Sequence, residues 1–279
     1  MRNVARQDTG MARGTWWKDG PPGPVQQLPR GQVVCADALD FLCHLRDACA
    51  LVVFIDPPFN LGKAYGDDGE GDRRRAHEYL AYMTKVIERA CVVLREGGAL
   101  YFYHIPRWAI AFANILGRSL DFQHWISISM KNGFVRPKHL YPAHYALLHF
   151  SKGKPSIFRR PKIPTQRCRH CQGYIRDYGG YEKYVRRGIN LSDVWDDISP
   201  VRHAKYKHRT PNELPLEIPR RAVSISGWPN GLFVDPFAGS GASLVAAQER
   251  GMRFVACDRK EEYCNLMARR LRTPQDMEQ

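Results

Sequence analysis

An unbroken apolar run, Leu51-Val52-Val53-Phe54-Ile55, constrains the fold of this chain more than any other feature. A strand that exposes one face to water alternates apolar and polar residues, so a run without alternation predicts a strand buried on both faces. Strands of this kind belong to parallel sheets that are covered by helices on both sides. We therefore expect an α/β fold with this strand near the centre of its sheet.

Strand-like and helix-like segments alternate along most of the chain. Further strands are predicted at 32–35, 98–104, 122–130, 145–150, 232–235 and 254–257. Helices are predicted at 38–45, 77–94, 107–116, 216–224, 242–250 and 261–271. This alternation predicts a doubly wound, Rossmann-like sheet. Residues 1–30 are rich in Gly, Pro, Arg and Gln, and we expect them to form an irregular arm.

Positive charge is concentrated in residues 131–212. This segment holds 18 of the 42 Lys and Arg residues and 5 of the 28 Asp and Glu residues, so it carries nearly all of the net charge of +14. Each phosphate that a basic side chain neutralises releases a counterion, and tyrosines are interleaved here, so nucleic acid is the favoured partner. A basic surface kept for solubility is the alternative. Because strands and helices do not alternate in this segment, we expect it to be an insertion.

Composition excludes several classes of protein. With 44% apolar residues and a mean hydropathy of -0.45, the chain is neither a membrane protein nor fully disordered. No apolar run approaches the roughly 18 residues that span a bilayer, and the first residues have no apolar signal region. The eight cysteines are too dispersed for a disulfide framework. We therefore expect a protein of the reducing cytoplasm.

The first loop that carries chemistry is Asp56-Pro57-Pro58-Phe59, directly after the apolar strand. In open α/β folds, ligands bind at the carboxyl ends of the strands. The two prolines fix the backbone and remove two N–H donors, which leaves carbonyl acceptors beside a carboxylate and an aromatic ring. Such a loop suits a planar group that bears an amino function. A rigid turn without function is the alternative.

The second loop is Phe233-Val234-Asp235-Pro236-Phe237-Ala238-Gly239-Ser240-Gly241. Its glycines allow the backbone to approach a ligand closely, and about 20 residues later a predicted strand ends at Asp258, where an acid binds ribose hydroxyls. A dinucleotide site is the usual alternative. Leu244 argues against it, because it occupies the third glycine position of Gly-x-Gly-x-x-Gly.

Together the two loops resemble the amino-group DNA methyltransferases that use S-adenosylmethionine. That family carries Asp-Pro-Pro-aromatic as its catalytic motif and Phe-x-Gly-x-Gly as its methionine-binding motif. The order here, with the catalytic motif first and the cofactor motif after the basic region, is similar to the β subgroup. The resemblance covers most of residues 31–272. It implies an arm (1–30), a catalytic half (31–130), a target-recognition region (131–212) and a cofactor-binding half (213–279).

The resemblance also implies the catalytic roles. Asp56 and the Pro57 carbonyl are expected to accept the two hydrogens of the target amino group, in a loop completed by Pro58. Phe59 is expected to stack on the base after it flips out of the duplex. Adenine enzymes of the family usually begin this motif with Asp, so Asp56 favours adenine N6. Cytosine N4, an RNA or protein amine, and a silent DNA-binding regulator are the alternatives.

The cofactor is expected to be S-adenosylmethionine. Phe237, Gly239 and Gly241 would surround its methionine end, Asp235 would lie near its amino group, and Asp258 would bind its ribose. The full set of implied cofactor residues is Ala36, Asp37, Asp56, Thr210, Asn212, Leu214, Asp235, Pro236, Phe237, Gly239, Ser240, Gly241 and Asp258. The family more often has Lys near Leu214, which is a departure here.

The expected partner is double-stranded DNA, which places the protein at the nucleoid, and β-type relatives make a homodimer the expected assembly. Residues expected to contact DNA are Asn60, Lys63, Arg73, Arg74, Lys131, Asn132, Arg136, Lys138, Arg186, Arg187, Lys205 and Lys207. No metal is expected. A zinc site at Cys168, Cys171, His203 and His208 is the alternative, but the gap from Cys171 to His203 is long for a compact finger.

Overall fold

The computed structural model describes most of the chain between residues 16 and 272. The described residues are 16–61, 74–129, 140, 143–165, 167–168, 170–173, 186–198 and 213–272. The strands are β1 (Val25–Leu28), β2 (Gly31–Cys35), β3 (Ala50–Ile55), β4 (Leu94–His104), β5 (Asp121–Ser129), β6 (His144–Ser151), β7 (Lys162–Ile163), β8 (Ile189–Asn190), β9 (Val194–Trp195), β10 (Leu232–Asp235) and β11 (Arg253–Asp258). The helices are α1 (Ala38–His44), α2 (Ala76–Val93), α3 (Pro106–Leu116), α4 (Glu217–Ser226), α5 (Ala242–Glu249) and α6 (Glu261–Arg272).

Within the described residues, one sheet contains nine strands in the order β1-β2-β11-β10-β3-β4-β6-β5-β9. Five neighbouring strands run parallel to one another, and they are β2, β11, β10, β3 and β4. β6 is antiparallel to β4 and β5, and β1 is antiparallel to β2, so the sheet as a whole is mixed. The expected Rossmann-like α/β fold is confirmed.

β3 lies at the centre of the sheet and is buried along its whole length, as its uninterrupted apolar sequence predicts. On one face of the sheet, α1, α2 and α3 form a cluster that includes Phe41, Val86 and Phe112. On the opposite face, α4, α5 and α6 form a second cluster that includes Leu244 and Met267. Both faces are therefore covered. None of the described helices combines the length and apolar content needed to cross a bilayer.

The expectation of an irregular arm over residues 1–30 is wrong for residues 25–28, which form a strand. β1 pairs with β2 along its whole length, and Trp17 is buried against Phe41 with its indole N–H donating to Gln32 at 2.7 Å. β1 has only four residues between Gly- and Pro-rich stretches, so its apolar pattern is too short to detect. α6 also contacts this edge, because the Arg272 guanidinium donates to the Gln27 carbonyl at 3.4 Å.

Part of the basic segment 131–212 belongs to the main sheet. β6 lies between β4 and β5, and β9 pairs with β5. β7 and β8 form a separate two-stranded ribbon. Any target-recognition insertion is therefore interrupted by β6, a strand that lies inside the basic segment.

Candidate active site

The two motif loops meet where the sheet changes its winding direction. β3 and β10 are parallel neighbours, with Val52 beside Phe233 and Val53 beside Val234. From this pair, β3 leads through α2 to β4 on one side, and β10 leads through α5 to β11 on the other. The loops after β3 and β10 therefore diverge and leave a crevice, which is where open α/β sheets bind ligands.

A cleft occupies this crevice. Asp56 lines it from the loop after β3, and Leu214 lines it from the segment before α4. Its other lining residues belong to the loop after β10 and the start of α5, and they are Asp235, Phe237, Ala238, Ser240, Ala242 and Ser243. The two loops singled out in the sequence thus share one cavity.

Phe59 lies within an aromatic cluster. Its ring is 7% exposed, and its centroid lies 4.8 Å from that of His104, 5.6 Å from that of Tyr145 and 5.8 Å from that of Tyr103. Burial, followed by the charge of Asp56, raises the pKa of both tyrosines above its ordinary value. Both hydroxyls therefore stay protonated near the carboxylate. The cluster combines residues from β4 and β6 that carry no motif.

The carboxylate of Asp235, at the start of the loop after β10, stabilises that loop through hydrogen bonds. Asp235 is 2% exposed, its carboxylate accepts from the Phe237 amide at 2.8 Å, and it also accepts from the Ser243 hydroxyl. Gly239 and Gly241 have φ of +51° and +82°, a region that side chains disfavour. A Cβ on Gly241 would lie 2.9 Å from the Met267 side chain. The glycines are therefore required by the shape of the loop.

A buried ion pair between Glu213 and Arg270 also stabilises this loop, through contacts with Ser240. The Glu213 carboxylate accepts from the Ser240 hydroxyl at 3.1 Å and from the Arg270 guanidinium at 3.2 Å. The guanidinium also donates to the Ser240 carbonyl at 3.1 Å. The two charged side chains are 3% and 7% exposed. Neither was singled out in the sequence, because the two residues are far apart in the chain and belong to no motif.

Asp258 ends β11 beside the glycine loop. Its carboxylate accepts from the Gly239 amide at 3.2 Å and from the Lys260 amide at 2.9 Å, and its carbonyl accepts from the Ala36 amide at 3.1 Å. Asp37 caps α1 by accepting from the Leu39 amide, and it also accepts from the Tyr82 hydroxyl. These residues line the carboxyl ends of β2 and β11, next to the cleft.

Comparisons with known proteins identify the family. A family model described as DNA methylase, covering both N6 and N4 enzymes, matches residues 51–269. The chain belongs to the N6/N4 DNA methylase family. It is 37% identical over 244 residues to the type II methyltransferase M.BamHI of Bacillus amyloliquefaciens. This match covers 87% of the chain and 57% of that relative, so the chain spans little more than half of its length.

Two solved structures share the N6/N4 methylase fold with this chain. The M1.HpyAVI–SAM complex superimposes with a TM-score of 0.59 at 18% identity, over 87% of this chain and 100% of the other. The PvuII DNA methyltransferase, described as cytosine-N4-specific, superimposes with a TM-score of 0.63 at 15% identity, over 89% of each chain. S-adenosylmethionine is the methyl donor that the family uses.

The donors around the cleft fit the methionine end of this cofactor. The buried side chains of Asp235, Ser240 and Ser243 contribute a carboxylate and two hydroxyls to the lining of the cleft. The Phe237 side chain, partly buried against the core, adds an apolar surface. Thr210 and Asn212, two further residues of the implied cofactor set, lie outside the described residues.

Most residues expected to contact DNA lie outside the described part of the chain. These are Lys63, Arg73, Lys131, Asn132, Arg136, Lys138, Lys205 and Lys207. Arg186 and Arg187 are described and exposed. Asn60 and Arg74 already have internal contacts, because the Asn60 amide bonds to the Arg74 backbone at 2.7 and 3.1 Å and the Arg74 guanidinium lies 4.5 Å from the Tyr82 ring centroid.

The Cys168–Cys171 pair lies in a tight turn. The Gln172 amide donates to the Cys168 carbonyl at 2.9 Å, and backbone hydrogen bonds lower the pKa of the Cys168 thiol. No cluster of three or more candidate metal ligands occurs among the residues that the structure describes. His203 and His208, the other two residues of the zinc alternative, lie outside them.

Proposed function

We propose that this protein transfers a methyl group from S-adenosylmethionine to the exocyclic amino group of a base in double-stranded DNA. The observation that carries the proposal is the shared cleft, in which Asp56 of the Asp-Pro-Pro-Phe loop and the glycine loop after β10 line the same space. An amino acceptor held by one loop therefore lies next to a cofactor held by the other. The family match over residues 51–269 supports the same chemistry.

The chain's own residues act by alignment. Asp56 and the Pro57 carbonyl accept the two hydrogens of the amino group, which directs the nitrogen lone pair into the cleft. S-adenosylmethionine supplies a methyl group on a sulfonium centre, so no covalent enzyme intermediate is needed. As the nitrogen becomes positively charged, the Asp56 carboxylate stabilises that charge and lies where it can accept the proton that the methylated amine releases. The protonated hydroxyls of Tyr103 and Tyr145 add no competing negative charge nearby.

The base reaches the loop only after it leaves the duplex. Phe59 is 7% exposed, so a flipped base would contact a limited part of its ring, and Tyr145 offers additional aromatic surface beside it. We assign base contact to the Phe59 cluster as a whole.

Adenine N6 is the proposed acceptor, on the strength of Asp56 at the head of the motif. Cytosine N4 is the second candidate, because the PvuII methyltransferase, described as cytosine-N4-specific, has this fold. Both acceptors are planar amino groups with two hydrogens, so the carboxylate and carbonyl acceptors bind either one. The base assignment is an outcome of the experiment below.

The remaining proposals concern the assembly. The exposed Arg186 and Arg187 and the net charge of the 131–212 segment support DNA phosphate binding, so this segment is proposed to recognise the target. We also propose a homodimer that acts at the nucleoid in the cytoplasm. A concentration-independent monomer mass in a fully active sample would contradict the dimer.

The experiment measures transfer of labelled methyl from S-adenosylmethionine to bacterial DNA that lacks its own methylation, followed by nucleoside analysis. Label in N6-methyldeoxyadenosine supports the adenine assignment, and label in N4-methyldeoxycytidine replaces the base while retaining the mechanism. Asp56→Ala is expected to abolish transfer, whereas Asp121→Ala, at an exposed site on β5, is its matched control. Absence of label from DNA, with the cofactor still bound, contradicts the proposal. Label in RNA or protein would then identify another substrate, and no label at all would indicate a silent regulator.

A further inference from the structure

A chain of three hydrogen bonds lies behind the Asp-Pro-Pro-Phe loop. The Ile105 amide donates to His104 Nδ1 at 2.9 Å, and His104 Nε2 lies 2.8 Å from the Tyr79 hydroxyl. The Tyr79 hydroxyl donates to the Pro58 carbonyl at 2.6 Å. His104 is 0% exposed and Tyr79 is 4% exposed, so the chain runs through the protein interior.

Each hydrogen bond in this chain has one direction. A backbone amide only donates, so Nδ1 of His104 must be the acceptor and carry no hydrogen. Burial lowers the pKa of His104 to about 3, so the ring is neutral and its hydrogen lies on Nε2. Nε2 therefore donates to the Tyr79 oxygen, and the Tyr79 hydrogen is left to donate to Pro58. Both ring nitrogens of His104 and the Tyr79 oxygen therefore have a hydrogen-bond partner.

The Pro58 carbonyl is an effective point from which to hold the loop. Neither Pro57 nor Pro58 has an N–H, so carbonyl oxygens are the backbone groups through which these two residues can be fixed. The proline ring restricts φ, which leaves ψ as the free torsion, and ψ is set once the carbonyl is held. The His104 ring also packs against Phe59, with centroids 4.8 Å apart. One histidine thus supports both ends of the Pro58–Phe59 unit.

We infer that Tyr79 and His104 are positioning residues of this loop, which hold the Pro58 carbonyl and thereby orient the adjacent Pro57 carbonyl for the target amino group. This inference rests on the proposed function of the loop. Neither side chain is assigned a contact with substrate. Their effect is on the rate of methyl transfer, because a loop that samples other ψ values holds the amine in line for a smaller fraction of the time.

The test is Tyr79→Phe, which removes one oxygen atom from a buried ring. We expect the single-turnover rate of methyl transfer to fall about 10-fold, as the loss of one hydrogen bond at a reacting loop predicts. The dissociation constant for S-adenosylmethionine should stay within about twofold, because the glycine loop is untouched. Tyr101→Phe is the matched control, since Tyr101 is a fully buried tyrosine whose hydroxyl bonds to Ser226 away from the loop. It should retain the wild-type rate.

Two substitutions of His104 separate positioning from packing. Glutamine carries its amide near the position of Nε2 and keeps a donor for Tyr79, whereas asparagine carries it near Nδ1 and loses that donor. We expect His104→Gln to be faster than His104→Asn. Tyr79→Phe should lower the rate less in the His104→Asn background than in the wild type, because the two side chains act through one chain of hydrogen bonds.

The outcomes distinguish this inference from the proposed function. If the wild-type protein methylates no DNA, the proposed function fails first. If it does, and Tyr79→Phe keeps a single-turnover rate within twofold of Tyr101→Phe, the positioning role is refuted. Should Tyr79→Phe fail to fold, equal rates for the two His104 variants would refute it instead.

Discussion

Replacement of Arg270 by methionine tests the ion pair that supports the cofactor loop. Arg270 lies on α6, is 7% exposed on its side chain, and donates to both Glu213 and the Ser240 carbonyl. The substitution removes the cation but leaves the Glu213 carboxylate buried. The free energy of the folded state then rises, because the buried carboxylate loses the guanidinium that it faces.

The substitution is expected to lower the free energy of unfolding considerably. Breaking one side of a buried ion pair typically destabilises a protein by about 3–5 kcal/mol. At roughly 2–4 °C for each kcal/mol in a chain of this size class, the melting temperature should fall by roughly 10 °C. Affinity for S-adenosylmethionine should also fall, because the Ser240 carbonyl loses its donor while Ser240 lines the cleft.

The double variant Glu213→Gln with Arg270→Met provides the decisive comparison. Glutamine can still accept from the Ser240 hydroxyl but carries no charge, so at least half of the lost stability should return. Arg270 Nε has no acceptor among the described residues, which makes the wild-type pair less favourable to begin with. Thermal unfolding by circular dichroism measures both variants. A double variant less stable than Arg270→Met alone would refute the argument.

Three further predictions concern the glycine loop, the buried histidines and the loop before α2. Gly241→Ala should destabilise the fold by about 2 kcal/mol and weaken cofactor binding, because φ is +82° and the new Cβ would contact Met267; calorimetric titration with the cofactor measures the second effect. Burial, with His124 nearby, lowers the pKa of His149 to about 3, whereas an unfolded histidine binds its proton near pH 6.5. Stability should therefore decline as pH falls below about 6.5, by roughly 2 kcal/mol from this residue at pH 5, and His149→Gln should show a smaller decline in thermal melts. Asn60→Ala loses two hydrogen bonds to the Arg74 backbone, so trypsin should cleave between these two residues several times faster than in the wild type.

The sequence predicted those parts of the fold that depend on local pattern. β3 was recognisable because its apolar run is short, rich in β-branched residues and followed by two prolines, and β10 and β11 followed from similar runs. β1 and β9 were missed because they have four and two residues, and their pairing depends on strands that the chain brings alongside. The two motif loops were located correctly for the same local reason, since each follows a strong strand.

The residues that support the loops had no such signal. Tyr79 bonds to Pro58 from a helix, and Glu213 bonds to Arg270 from another part of the chain. Such contacts are set by how the elements pack, and a tyrosine in an amphipathic helix looks the same in sequence whether or not its hydroxyl has a partner. His104 likewise lies on a strand without a motif, and its hydrogen bonds to Tyr79 and to the Ile105 amide depend on the folded chain.

The contact between α6 and β1 has a consequence for the order of the motifs. Arg272 donates to the Gln27 carbonyl, and Gln26 bonds to Asn265, so the first strand and the last helix of the described chain lie side by side. A short peptide could therefore join the end of α6 to the start of β1, and new ends could be opened between β5 and β6. Such a circular permutant would place the glycine loop before the Asp-Pro-Pro-Phe loop in the chain, yet β3 and β10 would remain neighbours. The order in which the two motifs are translated is thus independent of the site that they build.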